Sequence, residues 1–170
     1  MRLIRTNLGT ALVSAVLILA ASMVQAQPTE PELKLLPAEA ESSARQAEAQ
    51  ALDVMYAFMR SFNAKDPKAF ADTLLFPHVR IASGGVRVSP DAQTFIEATD
   101  FDAFAQRFDW AFSRWESIET VQADENKVHF AVVFVRHNRA GEPNATFRSL
   151  YILQRAASGW GIRSRSSFAP

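Results

Sequence analysis

The sequence predicts an α+β domain in which helices pack on one face of an antiparallel sheet. Three observations carry that reading. Apolar residues repeat at helical spacing through the first half of the chain, the repeat shortens to two residues near Pro77, and the last third is rich in Val, Ile, Phe, Tyr and Thr almost throughout.

The first 26 residues stand apart from the domain. Residues 1–10 carry Arg2 and Arg5 and no acid, and residues 11–21 (ALVSAVLILAA) form an uninterrupted apolar run. That run is shorter than the ~20 residues a membrane span needs, and Val24-Gln25-Ala26 has the modest side chains a signal peptidase accepts. A secretory signal peptide over residues 1–26, cleaved near Ala26, is expected, leaving a periplasmic or secreted chain with no membrane segment. An uncleaved N-terminal anchor is the alternative. The 144 residues that remain hold 16 basic and 18 acidic side chains and no cysteine, so stability rests on burial, led by 13 Phe and 3 Trp. Balanced charge without a lysine-rich tract argues against nucleic acid or acidic membrane as a partner.

Residues 27–43, with three prolines, four glutamates and no periodicity, are expected to be a flexible tether, and the folded domain to span 44–170. Leu52, Met55, Tyr56, Met59 and Phe62 then lie on one face of a first helix that runs to about Ala64. Asp66 precedes Pro67 as a cap for a second, short helix reaching Leu74. Residues 77–81 and 86–88 alternate around Gly84-Gly85 and form a small hairpin. Ser89-Pro90-Asp91 starts helix again, with Phe101, Phe104, Ala105, Phe108, Phe112 and Trp115 as a second aromatic stripe interrupted near Thr99-Asp100. Residues 116–123, 128–138, 145–154 and 160–168 are four strands of antiparallel neighbours joined by short turns. Trp110 falls off the stripe, which marks a cavity mouth or a partner surface.

Little of the composition suggests reaction chemistry. His129 and His137 share a strand face but lie ~26 Å apart along an extended chain, so they cannot share a metal, and His78 lacks a ligand pair at zinc spacing. There is no thiol, no nucleophile elbow and no phosphate loop. Asp100 and Asp102 sit where a helix start attracts negative charge, and Asn144-Ala145-Thr146 fits a glycosylation acceptor. Neither a metal nor a cofactor is expected. Arginine is in excess, 14 against 4 lysines, and Arg80, Arg136, Arg148, Arg163 and Arg165 fall in strands. Guanidinium groups on a sheet lining clamp carboxylates bidentately, while on an outer face they pair across an interface or meet water. Arg136 shares parity with Phe130, Val132 and Phe134, which places it inward. Tyr56 and Tyr151 are the candidate hydroxyl donors.

A helix ending Phe62-Asn63-Ala64-Lys65-Asp66, then Phe76-Pro77-His78-Val79, a glycine hairpin, an Asp100-Phe101 helix, Phe134-Val135-Arg136 and a final run from Trp160 to Ser167 together resemble the nuclear transport factor 2-like, or SnoaL-like, superfamily. The resemblance covers about 44–168. It implies a cone, a curved antiparallel sheet wrapped around the N-terminal helices, with a pocket and dimerisation through the outer sheet face. Some members are enzymes, such as ketosteroid isomerase and scytalone dehydratase. Others bind or assemble, such as the association domain of calcium/calmodulin-dependent kinase. Where the isomerase has its hydroxyl donor this sequence has Phe58, and where it has its base this sequence has Ala82-Ser83. Arg136 matches a pocket arginine of the kinase association domain. The expectation is therefore an exported, homodimeric domain whose pocket, bordered by Tyr56, His78, Arg80, Arg136, Asn138 and Tyr151, binds a small anionic, apolar molecule. The alternatives are an isomerase, dehydratase or hydrolase with His78 as general base, and a non-catalytic interaction module.

Overall fold

The computed structural model describes residues 38–170, so the expected signal peptide and residues 27–37 of the expected tether lie outside the described residues. Helix α1 (Ala38–Asn63) opens six residues before Ala44. Beyond Pro37 the chain alternates Ala and Glu, both good helix formers. Glu39 and Glu41 complement the positive end of the helix, and Glu41 reaches Arg45 one turn on at 3.7 Å. Residues 38–43 are thus helical, a correction to the tether, whose prolines and acids concealed a helix start. Ala47, Ala51, Met55, Phe58 and Met59 form the buried face of α1.

Asp66 accepts the Ala69 N–H at 2.9 Å and caps α2 (Pro67–Ala71), with Pro67 in the first turn. This helix stops short of Leu74, which begins β1 (Leu74–Ala82). The turn into β2 (Gly85–Ser89) puts Gly85 at φ +147°, a backbone angle that favours glycine. Asp91, not Ser89, caps α3 (Ala92–Glu97), and Asp100 caps α4 (Phe101–Phe108) at 2.8 Å from the Ala103 nitrogen, so the stripe breaks at Thr99-Asp100 as expected. At Asp109 the backbone turns left-handed, φ +45°, and helix gives way to β3 (Phe112–Ala123). Phe112 and Trp115 therefore belong to a strand and lie on its opposite faces, since a spacing of three fits one face of a helix but not the two-residue repeat of a strand. Strands β4 (Lys127–His137), β5 (Pro143–Ala156) and β6 (Gly159–Ser167) complete the fold.

The sheet runs β2-β1-β6-β5-β4-β3. The four long strands are antiparallel neighbours, as the sequence predicts. The hairpin β1–β2 joins them through a parallel pairing of β1 with β6, a long-range match that local alternation does not reveal. Register aligns Arg87, Arg80, Arg165, Tyr151 and Phe130 as one row across five strands, and Val86, Ile81, Ser166, Leu150 and Ala131 as the adjoining row. Adjacent residues in a strand face opposite sides, so the first row faces the helices and the second faces outward. Asn63 clamps the end of α1 to β3. Its amide donates to the Ser113 carbonyl at 2.9 Å and accepts the Ser113 N–H at 2.8 Å. Trp110, expected at a mouth or interface, is instead in the core, and its Nε1 donates to Ser113 Oγ at 2.9 Å.

Gly161 sits where β6 meets the start of β1. A β-carbon there would lie 2.7 Å from Leu75 Cγ and 3.2 Å from its Cδ2. The nearest atom is a branch point held in the core, so Gly161→Ala should destabilise by ~1–3 kcal/mol through overpacking. Urea titration of the two proteins measures it, and an unchanged midpoint refutes the expectation.

Candidate functional site

A cavity of about 390 Å³ opens between the inner sheet face and helices α1 to α4. Its apolar wall is aromatic, with Phe58, Phe62, Phe70, Phe95, Phe104 and Phe108 from the helical side and Trp115, Phe134 and Tyr151 from the sheet. Its charged groups are nearly all cationic. Arg80, Arg136 and Arg165 come from three strands, Arg87 and Arg107 also line it, and the one acid in the lining, Asp100, spends its carboxylate on capping α4. The ion pairs among the described residues, Glu41–Arg45, Lys65–Asp102 and Lys68–Asp72, leave these arginines unmatched.

Arg136 is only 5% exposed. Its guanidinium carbon lies 4.8, 5.1 and 4.7 Å from the ring centres of Phe104, Phe108 and Phe147, and its Nε is buried without a hydrogen-bond partner. Burial first, and then the like charges of Arg80 and Arg165, lower its pKa to about 10. It remains a cation at neutral pH, held by ring faces rather than by a carboxylate. Arg165 stands over Phe58 at 5.2 Å with its Nε likewise buried and unpartnered. Arg80, whose pKa burial and the neighbouring Arg165 lower to about 10, donates through Nη2 to the main-chain oxygens of Pro170 at 2.7 Å and Ala169 at 3.3 Å. Guanidinium groups this close to one another repel, and an anion among them relieves the repulsion.

His78, 2% exposed, also lines the cavity. Its Nδ1 lies 3.1 Å from the Ile162 carbonyl. A carbonyl only accepts, so Nδ1 carries the proton and Nε2 presents a lone pair, which is buried without a partner. Burial, followed by the charge of Arg165, lowers the His78 pKa to about 4, so the ring is neutral at physiological pH. The Ile162 carbonyl is the orienting group that the sequence did not show. Because the folded pKa lies below the unfolded value of 6.5, His78 contributes stability that is complete above about pH 6.5 and is lost as pH falls toward 4, by at most ~3 kcal/mol. Melting temperature against pH should fall more steeply over that window for the wild type than for His78→Leu, and superimposable slopes would contradict this.

The structure thus brings together His78, Arg80, Arg136 and Tyr151 of the expected pocket, and leaves out two. Tyr56 is 45% exposed on the outer side of α1, because the inward face runs through Met55, Phe58 and Met59. Asn138 is in the β4–β5 turn, where its side chain accepts the N–H groups of Ala140 and Glu142 and donates to the Glu142 carboxylate. Of the other strand arginines, Arg148 is exposed. Arg163 turns away from the cavity to the Phe76 carbonyl at 2.6 Å and Gln154 at 2.9 Å. Arg87 and Arg165 were legible from their row with Arg80, once the pairing of β1 with β6 is known. Phe58 lines the cavity, whereas Ser83 lies in the β1–β2 turn and donates to the Phe168 carbonyl. Asn144 uses its side-chain nitrogen to hold the carbonyls of Phe108 and Asp109, at 3.1 and 2.7 Å. Among the described residues no cluster of His, Asp or Glu could hold a metal ion, and no helix is long and apolar enough to cross a membrane.

The same architecture recurs in solved structures. An NTF2-like protein with a cystatin-like fold from Novosphingobium aromaticivorans superposes with a TM-score of 0.60 at 8% identity, over 74% of this chain and 82% of that one. A ketosteroid isomerase-like protein from Erwinia carotovora gives 0.52 at 20% identity over 71% and 93%. Aln2 from a Streptomyces species gives 0.57 at 19% over 73% and 91%. At these identities the likeness is one of fold. Comparison with curated proteins finds no match. A family model described as NTF2-like protein (DUF6841) matches residues 47–168, from the buried face of α1 to the end of β6, and the chain belongs to that family.

Proposed function

We propose that this chain is an exported small-molecule-binding domain whose cavity selects an apolar ligand carrying an anionic group. One observation carries the reading: Arg80, Arg136 and Arg165 converge on an aromatic cavity with no Asp or Glu side chain paired to any of them among the described residues, and only Arg80 is met by main-chain oxygens, those of Ala169 and Pro170. A buried guanidinium without a counter-ion is costly, and a carboxylate entering between such groups gains charge-assisted, bidentate hydrogen bonds. The rings supply the apolar wall that a binding pocket needs. Calorimetric titration of the full chain with cinnamate and with cinnamyl alcohol, the same skeleton with and without charge, tests it. Cinnamate should bind at least tenfold more tightly, and equal binding would defeat the proposal.

Export rests on the basic start and apolar run of residues 1–26, and N-terminal sequencing of the chain recovered from a secreting host checks it. The homodimer rests on the outer face, where Ile81, Val86, Val88 and Leu150 leave apolar side chains in water. A sedimentation shift to monomer on Leu150→Glu is expected. A second reading, an isomerase, dehydratase or hydrolase with His78 as base, draws on the Nε2 lone pair and its fixed tautomer. A base with so low a pKa suits only an already acidic proton. Any such activity should fall below about pH 4 and vanish in His78→Gln.

A further inference from the structure

Resting on the anion-binding reading, we propose that the ligand also donates a hydroxyl hydrogen bond to Nε2 of His78, which makes it a hydroxy-substituted aromatic carboxylate. The cavity offers two kinds of polar surface. Its guanidinium groups carry donors alone, which complement an anion. His78 offers the opposite. Nδ1 is committed to the Ile162 carbonyl, and Nε2 of this cavity-lining ring is a buried acceptor that no donor of the described residues reaches. A buried acceptor left unmatched costs ~1–3 kcal/mol, and only a donor recovers it. An ammonium donor would meet the field of Arg165 and Arg163, so a neutral hydroxyl fits where a cation does not.

The size and walls set the rest of the ligand. At about 390 Å³ the cavity is roughly two to three times the ~150 Å³ of an engineered void that accepts benzene, so it takes a ring with a side chain of several atoms. Phe95, whose ring meets the imidazole edge-on at 6.3 Å, also packs against Phe70 and Phe76, so the wall beside His78 is aromatic. A planar ring with a carboxylate at one end and a hydroxyl elsewhere satisfies rings, guanidinium groups and imidazole together.

The test compares the 2-, 3- and 4-hydroxycinnamates with the matching fluorocinnamates by calorimetry on the full chain. Fluorine is close to hydroxyl in size and donates nothing. At least one hydroxy isomer should bind about tenfold more tightly than its fluoro counterpart, and His78→Leu should erase that difference. Every pair binding within twofold, while all bind, overturns this inference and leaves the anion-binding reading standing. No binding by any of them at millimolar concentration overturns both. Should His78→Leu fail to fold, the wild-type pairs decide alone.

Discussion

Arg136→Met is expected to abolish most of the affinity for aromatic carboxylates, by about 100-fold, while leaving the melting temperature unchanged or higher. The two effects have one cause. The guanidinium is buried, its Nε has no partner, and the like charges of Arg80 and Arg165 oppose it. Desolvating an unpaired cation costs several kcal/mol, and three ring faces at 4.7–5.1 Å return ~0.5–2 kcal/mol each. Methionine keeps a flexible unbranched stem, though a shorter one, packs its sulfur against the same rings, and removes the charge. The unliganded protein therefore loses little and is relieved of repulsion, whereas a bound carboxylate loses charge-assisted hydrogen bonds worth ~1.5–3 kcal/mol each. Calorimetry and thermal melts on the same preparations measure both quantities. A large drop in melting temperature with unchanged affinity would mean that Arg136 is a structural residue.

Phe58→Ala is the substitution expected to cost most stability, ~3–5 kcal/mol. The ring is buried and lies 4.7 Å from Phe70, 5.6 Å from Tyr151, 6.3 Å from Trp115 and 6.5 Å from Phe62. It joins α1 to α2 on one side and to β3 and β5 on the other. Because it borders a cavity that already exists, truncation enlarges a void that the surroundings cannot collapse to fill. Arg165 stands over the same ring and loses its cation–π support, so binding should weaken as well. Urea unfolding reads the first effect and titration the second. A loss of under 1 kcal/mol would show that the aromatic cluster repacks.

What the sequence reveals here follows the range of the interaction. Caps read correctly at Asp66 and Asp100 because each is a contact across three residues. Strand parity placed Arg136 inward, since Phe130, Val132 and Phe134 on the same face are all buried. Tyr56 misled because it stands one residue from Met55, at the margin of a helical stripe where an amphipathic ring suits either side. Asn138 misled because the strand ends at His137 and a turn-forming side chain prefers its own backbone. Nothing in the sequence marks Arg87 and Arg107 as cavity residues, and alternation alone leaves the facing of Arg148, Arg163 and Arg165 open. The partner strand that decides facing is more than eighty residues away for β1, and a bulge at Ile152/Leu153 shifts the register beside Arg163.

The parallel seam between β1 and β6 has a consequence for how the chain acquires its chemistry. Arg80 aligns with Arg165 across a separation of 85 residues, so the receptor for charge does not exist until β6 has been made and has returned to β1. Hairpins β3–β4, β4–β5 and β5–β6 are local and close early, whereas the seam is high in contact order and is expected to be the slow step. A nascent chain would thus pass its mutually repelling arginines through water one at a time, and confront them with each other only as the seam closes.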